Sequence, residues 1–116
     1  LNDGGTSESF EDATTTLQSW SSHMTADSYK FGFSVHGSHV GSGYGSLSGD
    51  CSSPDSNNLN YRGFVGATNI TVASSSAETD SDGVITDMCV VAEEGSNVNA
   101  PDGTYDTTIT GTAVTK

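Results

Sequence analysis

A regular alternation of residue size runs from Tyr29 to His36. Tyr29, Phe31, Phe33 and Val35 are large and apolar, and the positions between them hold lysine, glycine and serine, with a histidine after the last. Because successive side chains of a strand point to opposite faces, the pattern predicts a strand with one face on the core and the other in solvent. A shift of one residue would bury Lys30, so we expect Lys30, Ser34 and His36 to face solvent.

Weaker patterns of the same kind predict further strands over residues 59–65, 69–73, 84–92 and 104–114. The connections between them are rich in Ser, Gly and Asp, which favour turns. A chain of 116 residues has room for one hydrophobic core. We therefore expect a mainly β fold, an antiparallel β-sandwich or sheet, in a single domain over residues 9–116 after a flexible segment, 1–8.

The N-terminal part of this domain has a different period. Phe10, Ala13, Leu17, Trp20 and Met24 recur at spacings of three and four, which predicts a short helix over residues 9–24 and an α+β fold. The three threonines at 14–16 oppose a helix, because β-branched side chains lose rotamer freedom there. A strand through Ala13, Thr15 and Leu17 is the alternative.

The net charge is strongly negative, at -12, with 15 acidic residues against three lysines and arginines. Such a surface repels phosphate backbones and anionic lipid headgroups, which excludes nucleic acid as a partner. We expect no transmembrane segment, because a membrane span needs about 18 consecutive apolar residues and every apolar run in the sequence is much shorter.

Cys51 and Cys89 are the only cysteines, and neither belongs to a CxxC motif or to a Cys/His zinc spacing. The pattern favours a disulfide, which implies an oxidising compartment and a secreted or cell-surface protein. Two buried free thiols are the alternative.

No catalytic motif is recognisable, and the sequence predicts that the protein is not an enzyme. A GxSxG elbow is absent, and GSHVG at residues 37–41 lacks its spacing. Glu93 and Glu94 directly follow a predicted strand, where we expect them to be solvated instead of facing each other across a substrate.

Two groups of residues raise the question of a metal. Residues 78–89 resemble the calcium loop of EF-hand proteins, with side-chain ligands from Glu78, Asp80 and Asp82 and a carbonyl ligand from Val84. Cys89 stands where that loop needs a glutamate, and Asp-Gly is also an ordinary hairpin turn, so calcium and a plain turn both remain open. His23, His36 and His39 suggest copper or zinc. Strand positions three apart face opposite ways, which favours exposed histidines without a metal.

Other residues are candidates for ligand contacts or modification. Trp20, Tyr44 and Tyr61 are candidate stacking platforms for a glycan or another small ligand. Asn69 begins an Asn-Ile-Thr glycosylation sequon.

The C-terminal residues 100–114 carry a resemblance to a known type of domain. Gly103, Thr104 and Tyr105 lead into an alternating, Thr-rich run, which resembles the closing strand of secreted bacterial Ig-like β-sandwich domains, including pilus subunits. The resemblance implies an extracellular structural or adhesive protein, such as a surface filament subunit or an adhesin domain. The alternatives are a small glycan- or ligand-binding module, calcium-assisted or not, and a secreted toxin or effector.

The partner that we expect is a second copy, another surface protein or a glycan. The run 104–114 is almost uncharged and alternates, so as an unpaired strand it would be prone to aggregate. We expect it either to close the domain's own sheet or to complete the sheet of a neighbouring subunit.

Overall fold

The computed structural model describes residues 9–45, 50–66, 68–77 and 81–114, so the segment 1–8 lies outside the described part. This part is mainly strand and loop, built around one mixed sheet of three strands. The strands are β1 (Glu11–Asp12), β2 (Tyr29–Gly37) and β3 (Thr86–Glu94), and single 3-10 turns lie at Trp20–Ser22 and Ser42–Tyr44. The fold is thus mainly β, with a smaller sheet than the antiparallel sandwich that the sequence led us to expect.

Strand β2 is the centre of the sheet. It pairs with β3 in antiparallel fashion along its whole length, from Tyr29 opposite Glu94 to Gly37 opposite Thr86. On its other side β2 pairs in parallel with the short β1. Beyond β1, Arg62 takes over this side, because the backbones of Phe33 and Arg62 exchange two hydrogen bonds of 2.9 Å.

Both faces of β2 are buried. Phe31, Phe33 and Val35 are buried, as the alternation predicts. The expectation that Ser34 faces solvent is wrong, since Ser34 is 0% exposed and its hydroxyl donates to the carbonyl of Asn60 at 2.7 Å. Gly32 shares the face of Ser34 and leaves room for a large neighbour: a Cβ there would lie 3.0 Å from the indole of Trp20.

Two hydrophobic clusters cover the two faces. The tryptophan cluster, on the Gly32 and Ser34 face, contains Ala13, Trp20, Leu59, Tyr61 and Cys89. The phenylalanine cluster contains Phe33, Val35 and Tyr44, with Leu17, Val40, Phe64, Ile70 and Val72 packed against them. Loops rather than a second sheet supply most of these side chains, within the residues that the structure describes.

The helix predicted over residues 9–24 is wrong, and so is the alternative strand from Ala13 to Leu17. Only Glu11 and Asp12 form a strand, and the residues from Ala13 to Leu17 are irregular. Ala13 belongs to the tryptophan cluster, whereas Leu17 packs against the phenylalanine cluster. The apolar residues that looked like one helical stripe therefore serve opposite faces of the sheet, which a helix cannot do.

Of the other predicted strands, only the one over residues 84–92 forms, as β3. The segments 59–65 and 69–73 make isolated bridges, including Leu59 with Gly45 and Ala73 with Val40. In the described part of the chain no helix has the length and apolar character needed to cross a membrane.

Candidate self-association site at the edge of β3

The outer edge of β3 is a long, largely exposed edge of the sheet. Strand β3 ends the sheet, and no described residue pairs with its outer edge. Alternate residues of such an edge direct their backbone N–H and C=O groups outward, where another strand can pair with them. The edge is nine residues long, so it can accept a strand of ordinary length.

One face of β3 carries an apolar ledge, which we define as Met88, Val90 and Ala92. These residues lie opposite Val35, Phe33 and Phe31 of β2 and share their face. The phenylalanine cluster covers β2 but not β3, so Met88 is 40% exposed and Val90 49% exposed. The other face differs, because Cys89 is buried in the tryptophan cluster and Val91 packs against it. The ledge thus extends the core of the protein to its surface.

The C-terminal segment is the second exposed feature. The strand predicted over residues 104–114 is wrong for the chain by itself: Asp106 makes an isolated bridge, and residues 107–114 have no regular structure. Residues 107–114 are all exposed, including Ile109 and Val114. Self-closure of the sheet, one of the two roles expected for this segment, is therefore not what it does.

The segment is nonetheless anchored at its beginning. The ring of Tyr105 lies edge-on to Phe10, with centroids 5.1 Å apart, and the Tyr105 hydroxyl donates to the carbonyl of Pro101. Thr107, Thr108 and Ile109 then line a shallow cleft of about 240 Å³ beside Phe31 and Phe64. The anchor fixes where the segment starts and leaves the remainder on the surface.

The charges of these two features allow them to meet between copies. Strand β3 carries Asp87, Glu93 and Glu94, whereas residues 107–114 contain no charged side chain. An acidic segment would be repelled by β3, but this one is not.

At the opposite edge of the sheet Lys30 pairs with Glu11 at 2.7 Å, and this hydrogen bond and the lysine's charge lower the pKa of Glu11.

A disulfide joins β3 to the loop that contains Cys51. Cys51 and Cys89 are bonded, as predicted, with their Cα atoms 5.2 Å apart. In the turn around Cys51, the backbone amide of Ser52 donates to Asp50 at 2.9 Å, and hydrogen bonds from Ser52 lower the pKa of Asp50. The disulfide thereby fixes β3 on its inner face while its outer edge stays exposed.

The three candidate stacking residues are core residues. Trp20 is 0%, Tyr61 2% and Tyr44 4% exposed, so none presents a ring face to a ligand. Trp20 donates from its indole nitrogen to Glu93, and Asn57 donates to the hydroxyl of Tyr61 at 2.7 Å. Burial raises the pKa of both tyrosines. Burial of their large apolar area stabilises a small core, which explains their position.

The metal candidates have different outcomes. Glu78 and Asp80 lie outside the described residues, while Asp82 and Val84 are exposed beside a turn at Gly83, whose φ is 72°. The expectation of exposed histidines is wrong for His23, which is 5% exposed and whose Nε2 lies 2.8 Å from the carbonyl oxygen of Tyr61.

His36 and His39 are half-buried, and His36 lies beside the disulfide. Asn69 is exposed, as a modified asparagine must be.

The apolar ledge was not predicted from the sequence, because residues 84–92 were interpreted as a strand without asking which side chains share a face. Met88, Val90 and Ala92 alternate with Cys89 and Val91, so both faces of β3 are apolar at its centre. A strand that is apolar on both faces is typical of a sheet interior. When such a strand lies at a sheet edge, one of its apolar faces can remain exposed. The sequence of β3 therefore contained the information needed to predict the ledge.

Comparisons with known proteins do not assign the chain to a group. No protein-family model matches it, and neither a curated protein nor a solved structure does.

Proposed function

We propose that this protein is an extracellular structural or adhesive protein, a filament subunit or adhesin domain, whose copies associate by β-strand addition. The observation that carries the proposal is the combination of an unpaired β3 edge with an exposed, uncharged C-terminal segment in the same chain. In this association residues 107–114 of one copy pair with the outer edge of β3 of another.

The geometry of the ledge supports this pairing. A strand beside β3 places alternate side chains on the face of Met88 and Val90, and Ile109, Gly111 and Ala113 alternate in this way. Burial of Ile109, now 40% exposed, against Val90 removes two exposed apolar side chains from water. The main-chain hydrogen bonds add to this, as in other cases of strand addition.

Two further properties of the chain support the proposal. The disulfide is compatible with an oxidising, extracellular setting. The charge of -12 makes copies repel one another, so association by an uncharged segment is strengthened by salt, which screens the repulsion.

The test is the mass of the protein in solution over a range of concentration and salt. Full-length protein is expected to form oligomers whose mass rises with both variables. Deletion of residues 107–116 is expected to give a folded monomer, because both hydrophobic clusters lie outside the deleted residues.

Two point variants add the same charge one position apart. Ile109→Glu is expected to abolish oligomers, because position 109 faces the ledge, whereas Thr110→Glu faces away and keeps them. Full-length protein that remains monomeric at millimolar concentration in high salt would refute strand addition. Equal effects of the two glutamates would refute the orientation of the segment.

A further inference from the structure

A histidine and the two cysteines meet on one face of the sheet. A ring nitrogen of His36 and the sulfurs of Cys51 and Cys89 all lie within 4.8 Å of one another. They come from β2, from the loop after residue 49 and from β3, so the sequence spacing gave no sign of them. His36 is half-buried and Cys89 is buried.

The sheet register explains why they meet. Ser34 lies opposite Cys89 and His36 opposite Asp87, which places His36 and Cys89 on the same face as diagonal neighbours. The disulfide brings Cys51 to the same point. The Asp87 carboxylate lies 3.9 Å from Nδ1 of His36, which is beyond hydrogen-bond distance.

We propose that reduction of the disulfide turns this cluster into a zinc site with His36, Cys51 and Cys89 as ligands and a water in the fourth position. Disulfide sulfur is a poor ligand, whereas two thiolates and an imidazole are a preferred zinc set. This zinc site does not depend on strand addition, because it lies at the disulfide and not at the outer edge of β3.

The reaction is balanced by a thiol reductant. Two thiols of the reductant become one disulfide, the bond between Cys51 and Cys89 breaks, and two cysteine thiols form. Each thiol then releases a proton to solvent as its sulfur binds zinc. With Zn–S bonds of about 2.3 Å in tetrahedral geometry, the sulfurs come to lie about 3.8 Å apart. The Cα atoms are 5.2 Å apart, so side-chain rotation suffices for this change.

The consequence is that β3 keeps its tether in both redox states. The disulfide joins β3 to the loop around Cys51 under oxidising conditions, and zinc replaces it under reducing ones. Copies that still contain reduced cysteines therefore retain the fold that presents the β3 edge.

The experiment uses the full chain, reduced with an excess of a thiol that is then removed without oxygen, and titrated with cobalt and then zinc in the same conditions. We expect one cobalt per chain, a thiolate-to-cobalt charge-transfer band that zinc removes, and no band for the oxidised protein. His36→Gln is expected to weaken zinc binding, with both thiols intact, by at least the about 10–100-fold that the loss of an outer-shell partner alone causes. His39→Gln is the matched control and is expected to bind zinc as the unmodified chain does.

Circular dichroism of the reduced chain, before and after zinc, covers the case in which reduction unfolds it. Zinc that restores the spectrum of the oxidised protein, in the unmodified chain but not in His36→Gln, supports the site. Three results would overturn it: no charge-transfer band, equal affinity of His36→Gln and the unmodified chain, or binding that leaves an unfolded spectrum unchanged.

Discussion

Strand β2 and the segment 104–114 have similar alternating sequences and opposite structures. Strand β2 is buried on both faces at its centre, whereas residues 107–114 are exposed and irregular. The side chains account for the difference. One face of β2 presents two phenylalanines and a valine, while residues 107–114 offer Ile109 and Val114 among threonines, a glycine and an alanine. Alternation gives the potential to form a strand, but buried apolar area decides whether the strand forms within one chain.

The largest test of this contrast removes a large side chain from each region. Phe33→Ala is expected to lower the free energy of unfolding by about 3–5 kcal/mol, because Phe33 is buried and its removal leaves a cavity. Val114→Ala, at a position that is 85% exposed, is expected to change it by less than about 0.5 kcal/mol. Denaturant melts of dilute protein measure both. Comparable losses would mean that the C-terminal segment is part of the monomer's core.

A pair of glycines tests the same contrast at the backbone. A Cβ at Gly63 would lie 1.9 Å from the carbonyl oxygen of Ala13, whereas one at Gly111 meets nothing within 4 Å. Gly63→Ala is expected to lower the free energy of unfolding by about 1–3 kcal/mol or more, because the backbone must move to admit the methyl group. Gly111→Ala is the control and should leave the midpoint unchanged or slightly raised. Unfolding midpoints that fall equally would contradict the close packing of residues 13 and 63.

Ser34 tests the burial of the second face of β2. Ser34→Ala removes this hydrogen bond to the carbonyl of the half-buried Asn60, which is expected to lower the free energy of unfolding by about 0.5–1.5 kcal/mol. Ser96→Ala changes an exposed serine and should have no measurable effect. If the two alanine variants unfold at the same denaturant concentration, the face of Ser34 is solvated and the tryptophan cluster does not cover it.

The smallest effect concerns the pairing of β1 with β2 and depends on pH. Lys30 lowers the pKa of Glu11 below its ordinary 4.5, so the pair stabilises the fold above that pH, and the gain is lost as the pH falls through the lowered pKa. Glu11 is 71% exposed, so Glu11→Gln is expected to lower the free energy of unfolding by at most about 0.5 kcal/mol at pH 7, and by less as the pH falls through the lowered pKa. Denaturant melts over a series of pH values measure this, and a difference that does not shrink with falling pH would contradict the ion pair as its cause.

The sequence predicted the elements whose cause is local. The alternation of β2 placed Phe31, Phe33 and Val35 in the core, and the isolated cysteines predicted the disulfide, both as observed. The burial of Ser34 was not predictable, because Gly32 and Ser34 look like a solvent face until Trp20 fills the space above them. The helical spacing of residues 10–24 misled for the same reason, since only the fold shows that Ala13 and Leu17 serve opposite clusters.

The candidate site was predictable in part. The uncharged, alternating C-terminal run indicated strand donation or closure, but the identity of the acceptor depended on which strand ends the sheet. The grouping of His36 with the disulfide depended on the register of β2 and β3, which neither strand specifies alone.

The most direct test of strand addition is the hydrogen–deuterium exchange of residues 107–114 and of β3 as a function of protein concentration. We expect fast exchange for residues 107–114 in dilute protein and protection that grows with concentration, together with growing protection at the outer edge of β3. The inner hydrogen bonds between β2 and β3 serve as the internal reference and should be protected throughout. Exchange of residues 107–114 that is equally fast at every concentration, in samples whose mass shows oligomers, would contradict the proposal that this segment joins the copies.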